Sequence, residues 1–333
     1  MISPSQKLNQ KIFDRDVEQV PIRKGFGEGL VSAGEADARI VGLCADLTES
    51  TQMHLFAKKF PTRFIEMGIA EQNLASVASG MSAMGKIPFI TSYAMFSPGR
   101  NWEQIRTTIC YNDRKVVIAG SHAGISVGPD GGTHQAVEDI AITRVIPNMV
   151  VISPCDAIEA EKATRACAQT PHPTYIRLAR EKTPLITTAE TPFEIGKAQT
   201  YFEPVVGQAQ VGIIATGALL HKALCAAREL EKQKIGVKVI NLATIKPLDE
   251  KAVVALAREC GAFVTVEEHQ VSGGMGSAVA ECSARLCPVP IEFIGVHNVF
   301  GQSGTPSELI EHYKMGETHI KEAVLKVLKR KNK

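Results

Sequence analysis

The sequence predicts an α/β protein made of two doubly wound, mostly parallel-sheet domains. Three observations predict it. Short unbroken runs rich in Val and Ile alternate with stretches of helical spacing through most of the 333 residues. Such runs are the mark of strands buried on both faces, as parallel strands covered by helices are. The series is interrupted once, by the Pro- and Thr-containing stretch EKTPLITTAETPFEIGKAQ, and then resumes. The length, finally, suits two cores of ordinary size.

In chain order the first series reads RIVGLC (39–44), RFIEM (63–67), IPFITSY (87–93), KVVIAGS (115–121), MVVISP (149–154) and TYIRL (174–178). Residues 101–111, 135–144 and 156–169 carry helical spacing between these runs. The second series reads VGIIATG (211–217), KVINLAT (238–244), FVTVEE (263–268) and IEFIGV (291–296), again with helices between. The expected division is a first domain over 1–190, a linker over 191–205 and a second domain over 206–333.

Composition narrows the class. With 44% hydrophobic and 22% charged residues the chain reads as soluble and globular. A net charge of +2, evenly spread, excludes a nucleic-acid footprint. No apolar run approaches a membrane span, and the polar N-terminus lacks the apolar core of a signal peptide. The basic tail KVLKRKNK reads as the fraying end of a last helix. Cysteines 44, 110, 155, 167, 225, 260, 282 and 287 never form CxxC and fall mostly inside apolar elements. That pattern implies reduced, buried thiols and a cytoplasmic protein, not a disulfide frame or zinc site.

The run FIEMGIAEQNLASVASG (64–80) places Glu71 at the start of an apolar, small-residue helix directly after a short strand. The helix dipole and free N–H groups tolerate a carboxylate there. Burying it is costly unless something specific meets the charge. From this run alone, a plain helix acid and a site residue both stay open.

Two glycine motifs weaken on inspection. GMSAMGKI (80–87) has Ile87 where a phosphate loop needs Ser or Thr, and GGMGSAVAE (273–281) has Val279 where a dinucleotide fold needs its third glycine. The segment SHAGISVGPDGGTHQ (121–135) is different: it leaves a strand, enters a helix at about Gln135, and carries His122, Asp130 and His134 on a Gly-rich loop. The carboxyl edge of a parallel sheet is where such folds bind ligands. Without helical His spacing or cysteine partners, these residues suit substrate contact better than a metal site. TSYAMFSPGRNWEQIR (91–106) also leaves a strand, exposing Tyr93 and Phe96 beside a Pro-Gly turn and Arg100. Its aromatics suit either core packing or a floor for a heteroaromatic ring, and spacing leaves both open.

Taken in order, ADLTES (45–50), EMGIAEQN (66–73), the aromatic strand exit, SHAGISVGPDGGTHQ and RLAREKTPL (177–185) resemble the C-terminal half of transketolase. The resemblance assigns them to its thiamine-diphosphate pyrimidine-binding domain, and EEHQVSGGMGSAVAE (267–281) with NVFGQSG (298–304) to the transketolase C-terminal domain. It covers nearly the whole chain after about Asp16. The family's diphosphate-binding domain, with its GDG and metal-binding asparagine, has no counterpart here, so the chain resembles the smaller subunit of a split transketolase. That implies an N-terminal transketolase subunit as partner, in an α2β2 assembly, holding the diphosphate and Mg2+ or Ca2+.

By the same resemblance Glu71 is the glutamate that hydrogen-bonds N1′ of the thiamine aminopyrimidine, sharing a proton in a water-poor pocket. Phe96 matches the ring stacked on the pyrimidine, Tyr93 a second pocket aromatic, and Gly99 stands where the family has a third. Asp46 and Leu47 match the loop near the cofactor at the subunit contact. His134 matches the histidine near the reacting sugar carbons and Asp130 the acid that reads a sugar hydroxyl. Arg23, Ser50, His122 and Arg180 match the mouth that clasps a sugar phosphate, a role suited to the arginine fork. The implied activity is transfer of a two-carbon ketol unit from a ketose phosphate to an aldose phosphate in pentose phosphate metabolism. Three alternatives are weighed against it. 1-Deoxyxylulose-5-phosphate synthases have Asp-Arg in place of Ser121-His122, and 2-oxo acid dehydrogenase β subunits have a different loop in place of GPDGGTHQ. A non-catalytic regulatory or partner paralogue would have less reason to retain Glu71, His122, Asp130 and His134.

Overall fold

The computed structural model describes residues 1–205 and 207–331. Its strands, in chain order, are β1 (Gln19–Pro21), β2 (Ile40–Cys44), β3 (Phe64–Glu66), β4 (Ile87–Tyr93), β5 (Val117–Ser121), β6 (Val150–Ile152) and β7 (Thr174–Arg177). They continue as β8 (Lys182–Pro184), β9 (Gln199–Phe202), β10 (Val211–Ala215), β11 (Val237–Asn241), β12 (Thr244–Lys246), β13 (Phe263–Gln270) and β14 (Ile291–Val296).

One large sheet runs β12-β6-β7-β5-β4-β2-β3 and the other β14-β13-β10-β11-β9, while β1 and β8 form a separate two-stranded antiparallel sheet. Every pairing inside the two large sheets is parallel except at one edge of each, where β12 lies antiparallel to β6 and β9 antiparallel to β11. Strands β2, β5, β7 and β10 are buried along their whole length, which is why their sequences read as unbroken apolar runs. The fold is α/β, as the periodicity predicts.

Three features differ from the sequence reading. Strand β9 lies inside the 191–205 segment expected to be a linker, where it pairs with β11 as a sheet edge. The expected run 238–244 is broken: β11 ends at Asn241, and β12 crosses to the first sheet to pair with β6. The second half of the chain therefore supplies an edge strand to the first half's sheet. The helix expected from Gln135 starts at Asp139. Residues just before it are held by long-range bonds instead, with Gly124 N–H donating to Ala136 O and Gln270 N–H to Val137 O.

All eight cysteines are free thiols. Burial pushes Cys110, Cys167 and Cys260 up to about 12, so these thiols are inert at neutral pH. Among the described residues no helix is long and apolar enough to cross a membrane.

Candidate active site

Parallel strands share one carboxyl edge, and at that edge β2, β4, β5 and β7 release the loops carrying Asp46, Tyr93 to Arg100, His122 to His134, and Arg180. Glu71 opens the helix Glu71–Ala83 beside them. Its side chain is 2% exposed, and the apolar positions Leu74, Ala75 and Ala78 seat the helix in the core. Arg100 Nη1 donates to Glu71 Oε2 at 2.7 Å, and Asn101 Nδ2 donates to the Glu71 carbonyl at 2.9 Å. Arg100 is the one side chain among the described residues that meets the Glu71 carboxylate, and Oε1 carries no hydrogen bond.

The aromatic exit from β4 is compact. Tyr93 and Phe96 lie with near-parallel rings, centroids 6.3 Å apart. His134 meets Phe96 edge-on at 5.4 Å, and the Arg100 guanidinium sits 4.8 Å from the Phe96 centroid. Gly99 cannot be replaced by an aromatic here, because a Cβ would sit 2.0 Å from the Met95 carbonyl oxygen. Arg100, next in the chain, covers the ring instead.

His122 is 2% exposed and stacks on Tyr93, centroids 3.8 Å apart at 23°. Its backbone is left-handed, with φ 56°. Burial, with Arg23, Arg180 and His134 nearby, pushes its pKa down to about 3, so it is neutral at physiological pH. Arg23 Nη1 lies 3.1 Å from His122 Nε2, and Ser121 Oγ lies 2.8 Å from Nδ1. A guanidinium can only donate, so Nε2 accepts and Nδ1 carries the proton toward Ser121. Burial and then the neighbouring Arg180 lower the Arg23 pKa, which places the two arginines in one electrostatic field. Arg180 Nη1 donates to the Val127 carbonyl at 2.9 Å and pairs with Glu181 at 3.1 Å.

The structure thus joins Arg23, Tyr93, Phe96, His122 and His134, and links them to Glu71 through Arg100. Asp46 and Leu47 lie on a separate loop. Its anchor is Glu66, whose Oε1 accepts the Asp46 N–H at 2.7 Å and the Gly68 N–H at 3.1 Å, and whose Oε2 accepts the Thr48 hydroxyl at 2.6 Å. Ser50 is half-buried and Asp130 exposed, and neither side chain makes a hydrogen bond or ion pair among the described residues.

The Gly-rich loop is fixed from behind by the second half of the chain. Glu268 accepts the Ser126 N–H at 2.5 Å. A Cβ at Gly124, which has φ +90°, would lie 2.4 Å from Glu268 Oε1, so this position requires glycine. Behind them Asp139 Oδ2 accepts from Tyr175 OH at 2.7 Å and from Arg177 Nε at 2.8 Å, and Arg177 Nη2 donates to the Glu268 carbonyl at 2.8 Å. Burial, opposed by Arg177 and the Ser126 N–H, raises the Glu268 pKa. Sequence reasoning does not find this brace, because its members are scattered across distant elements. Arg100 and Glu66 carried a weaker signal, each lying inside a motif already singled out. Among the described residues no group of three or more His, Cys, Asp or Glu side chains could hold a metal ion.

Residues 18–185 match the family described as transketolase, pyrimidine binding domain, and residues 201–320 match transketolase, C-terminal domain. The chain is 38% identical over 325 residues to a 6-deoxy-6-sulfo-D-fructose transketolase subunit of a Clostridium species, covering 98% of this chain and 99% of that protein. It is 35% identical over 323 residues to human transketolase, covering 96% of this chain and 50% of the human protein. Among solved structures, a split gene transketolase described as an inactive beta4 tetramer superposes with TM-score 0.86 at 43% identity, covering 94% of this chain and 99% of that one.

Proposed function

The chain belongs to the transketolase family, and from that premise we propose that it is the smaller subunit of a split, thiamine-diphosphate-dependent transketolase. In this reading it moves a two-carbon ketol unit from a ketose phosphate to an aldose phosphate. The observation that carries the reading is Glu71, a carboxylate 2% exposed at a helix start, with one oxygen free of any hydrogen bond among the described residues. An acceptor oxygen left unbonded on a buried side chain fits a protonated ring nitrogen, and the Phe96 face beside Arg100 fits a flat heteroaromatic ring. Thiamine diphosphate, when bound, supplies the electron sink for breaking a carbon–carbon bond next to a carbonyl. Glu71 would hold the aminopyrimidine and keep a proton at its N1′. His122, neutral at physiological pH, and beside it His134 would meet the sugar oxygens, with Asp130 and Ser50 reading further hydroxyls. Arg23 and Arg180 would clasp the anionic tail.

The divalent metal and the diphosphate are assigned to an N-terminal partner subunit in an α2β2 assembly, with Asp46 and Leu47 near the contact. Ile69 is 74% exposed on the loop leading into Glu71, and Ile65 and Met95 are also exposed, an apolar rim that a partner would cover. The inactive beta4 state described for a similar split-gene chain supports dependence on that partner. The free cysteines support a reducing, cytoplasmic location. A second reading has a specific ground: the Clostridium subunit is named for a sulfonated ketose. Sulfonate and phosphate are both tetrahedral anions that an arginine pair can hold.

The test is copurification with a chain carrying GDG and the metal-binding asparagine. Two-carbon transfer to ribose 5-phosphate is then assayed from xylulose 5-phosphate and from 6-deoxy-6-sulfofructose. A complex that forms but transfers from neither donor would point to a non-catalytic paralogue. Full turnover by the lone chain would refute the split assignment.

A further inference from the structure

Strand β13 carries two successive buried glutamates that face opposite ways, as neighbouring strand residues do. Glu267 stays in its own half of the chain. Its carboxylate accepts the Met275 N–H at 2.6 Å and the Gly276 N–H at 2.8 Å, in the first turn of the helix Met275–Leu286. Glu268 crosses to the other half and reaches the turn Ile125–Asp130 of the Gly-rich loop. A helix terminus accounts for the first acid, and the second needs another reason.

The Ile125–Ser126 peptide is gripped at both ends. Glu268 Oε1 accepts its N–H at 2.5 Å, and Gln135 Nε2 donates to its carbonyl at 3.0 Å. The same Gln135 nitrogen donates to the Gln302 carbonyl at 3.0 Å, so both grips lead to the second half of the chain. Glu268 is itself held, because Arg177 Nη2 donates to its carbonyl and His269 Nε2, next along β13, accepts the Ile140 N–H at 3.2 Å. A peptide unit is planar, so bonds at its two opposite edges fix the plane and the path of the chain that follows. Ile125, Ser126 and Val127 are all buried and have little room to settle elsewhere. Two residues on from the gripped carbonyl, the Val127 carbonyl accepts Arg180 Nη1 at 2.9 Å. Arg180 is partly exposed, and that carbonyl with Glu181 sets its direction.

We propose that Glu268 is a positioning residue for the anionic tail of the sugar substrate: it holds the run Ile125–Val127 so that the Val127 carbonyl aims the Arg180 guanidinium at the tail. The inference rests on the reading of Arg180 given above, and it gives the second half of the chain a part in choosing the substrate. Glu268 acts through the loop and not on the sugar. What it supplies is an acceptor for one buried N–H, a task that an amide oxygen also performs and that is costly to leave undone.

The test uses the reconstituted two-subunit complex at saturating acceptor. Donors are the anionic one it turns over, xylulose 5-phosphate or 6-deoxy-6-sulfofructose, and hydroxypyruvate, which has no such tail. Glu268→Ala should raise KM for the anionic donor about tenfold or more and keep KM for hydroxypyruvate within about twofold. Glu268→Asp keeps the charge but draws the acceptor back, and should raise the anionic-donor KM about threefold or more. It decides the matter if the alanine variant fails to assemble. Glu268→Gln keeps an acceptor and should restore KM to within about twofold. Adding Glu268→Ala to Arg180→Ala should raise KM no further than Arg180→Ala alone, because the two act as one unit. If Arg180→Ala raises the anionic-donor KM while Glu268→Asp and Glu268→Ala leave it unchanged, this inference falls and the Arg180 reading stands. An unchanged KM in Arg180→Ala would defeat that reading and this inference together. Equal losses on both donors in Glu268→Ala, or additive losses in the double variant, would also overturn it.

Discussion

Arg100 Nη1 donates to Glu71 Oε2 at 2.7 Å while the same guanidinium lies 4.8 Å from the Phe96 ring centroid. One side chain therefore joins the buried acid to the aromatic face. The pair is asymmetric: the Glu71 side chain is 2% exposed and that of Arg100 is 48% exposed. Removing the arginine strands a buried carboxylate, but solvent reaches the arginine side and screens the pair. Arg100→Met is expected to cost about 1–2 kcal/mol of unfolding free energy, below the ~3–5 kcal/mol of a fully buried pair. Urea denaturation measures it, and an unchanged midpoint would show that the pair contributes nothing to stability.

The role proposed for Glu71 concerns proton control, not assembly. In the reconstituted complex Glu71→Ala is expected to lower kcat by about a hundredfold or more, in the range set by a lost general acid–base group. Size-exclusion behaviour should stay unchanged, because Leu74, Ala75 and Ala78 still seat the helix. Turnover near that of the unaltered complex would remove Glu71 from the chemistry.

What was legible in the sequence had a local signature. Periodicity carries the parallel strands because both faces of β2, β5, β7 and β10 are buried, and the positions of Glu71, Phe96, His122 and His134 follow from motifs on the chain. Strands β9 and β12 carry no such signature, because each is a short antiparallel edge whose identity is set by its partner. The Asp139–Arg177–Glu268 brace has none either, because its members come from distant elements. Three polar residues inside apolar runs look like interruptions until β7 and β13 are brought together around them.

That brace makes a stability prediction. Arg177 and Asp139 are both buried, with side-chain exposures of 7% and 1%. Arg177→Met leaves the Asp139 carboxylate with the Tyr175 hydroxyl as its one hydrogen-bond donor from a side chain among the described residues and removes the donor to the Glu268 carbonyl. The expected cost is about 3–5 kcal/mol. Adding Asp139→Leu should recover part of it, because no charge is then buried alone. Denaturant unfolding of both variants decides the matter, and a double variant weaker than the single one would contradict it.

His122 predicts a pH dependence. Its pKa is about 3 in the folded chain, and that of an unfolded histidine is about 6.5. Between these values the unfolded chain binds the proton and the folded chain does not, so stability rises with pH across that window. The contribution is complete above about pH 6.5 and is lost progressively as pH falls toward 3. The NMR signal of the His122 ring, assigned by its loss in His122→Asn, should show no titration from pH 5 to 8. A midpoint between 6 and 7 would mean that the ring is solvated and that its assigned tautomer is wrong.

Arg180 separates binding of the anionic tail from chemistry. Its guanidinium is held by the Val127 carbonyl and Glu181, which fixes its direction without satisfying all of its donors. A residue that clasps the tail equally in ground state and transition state affects KM and leaves kcat alone. Arg180→Ala in the reconstituted complex is therefore expected to raise KM for xylulose 5-phosphate by roughly tenfold or more, the scale of a charge-assisted hydrogen bond of about 1.5–3 kcal/mol. A donor with no phosphate or sulfonate, such as hydroxypyruvate, should keep its KM within about twofold, since it has no tail for the arginine to lose. Equal losses on both donors would mean that Arg180 supports the Val127 loop and not the substrate.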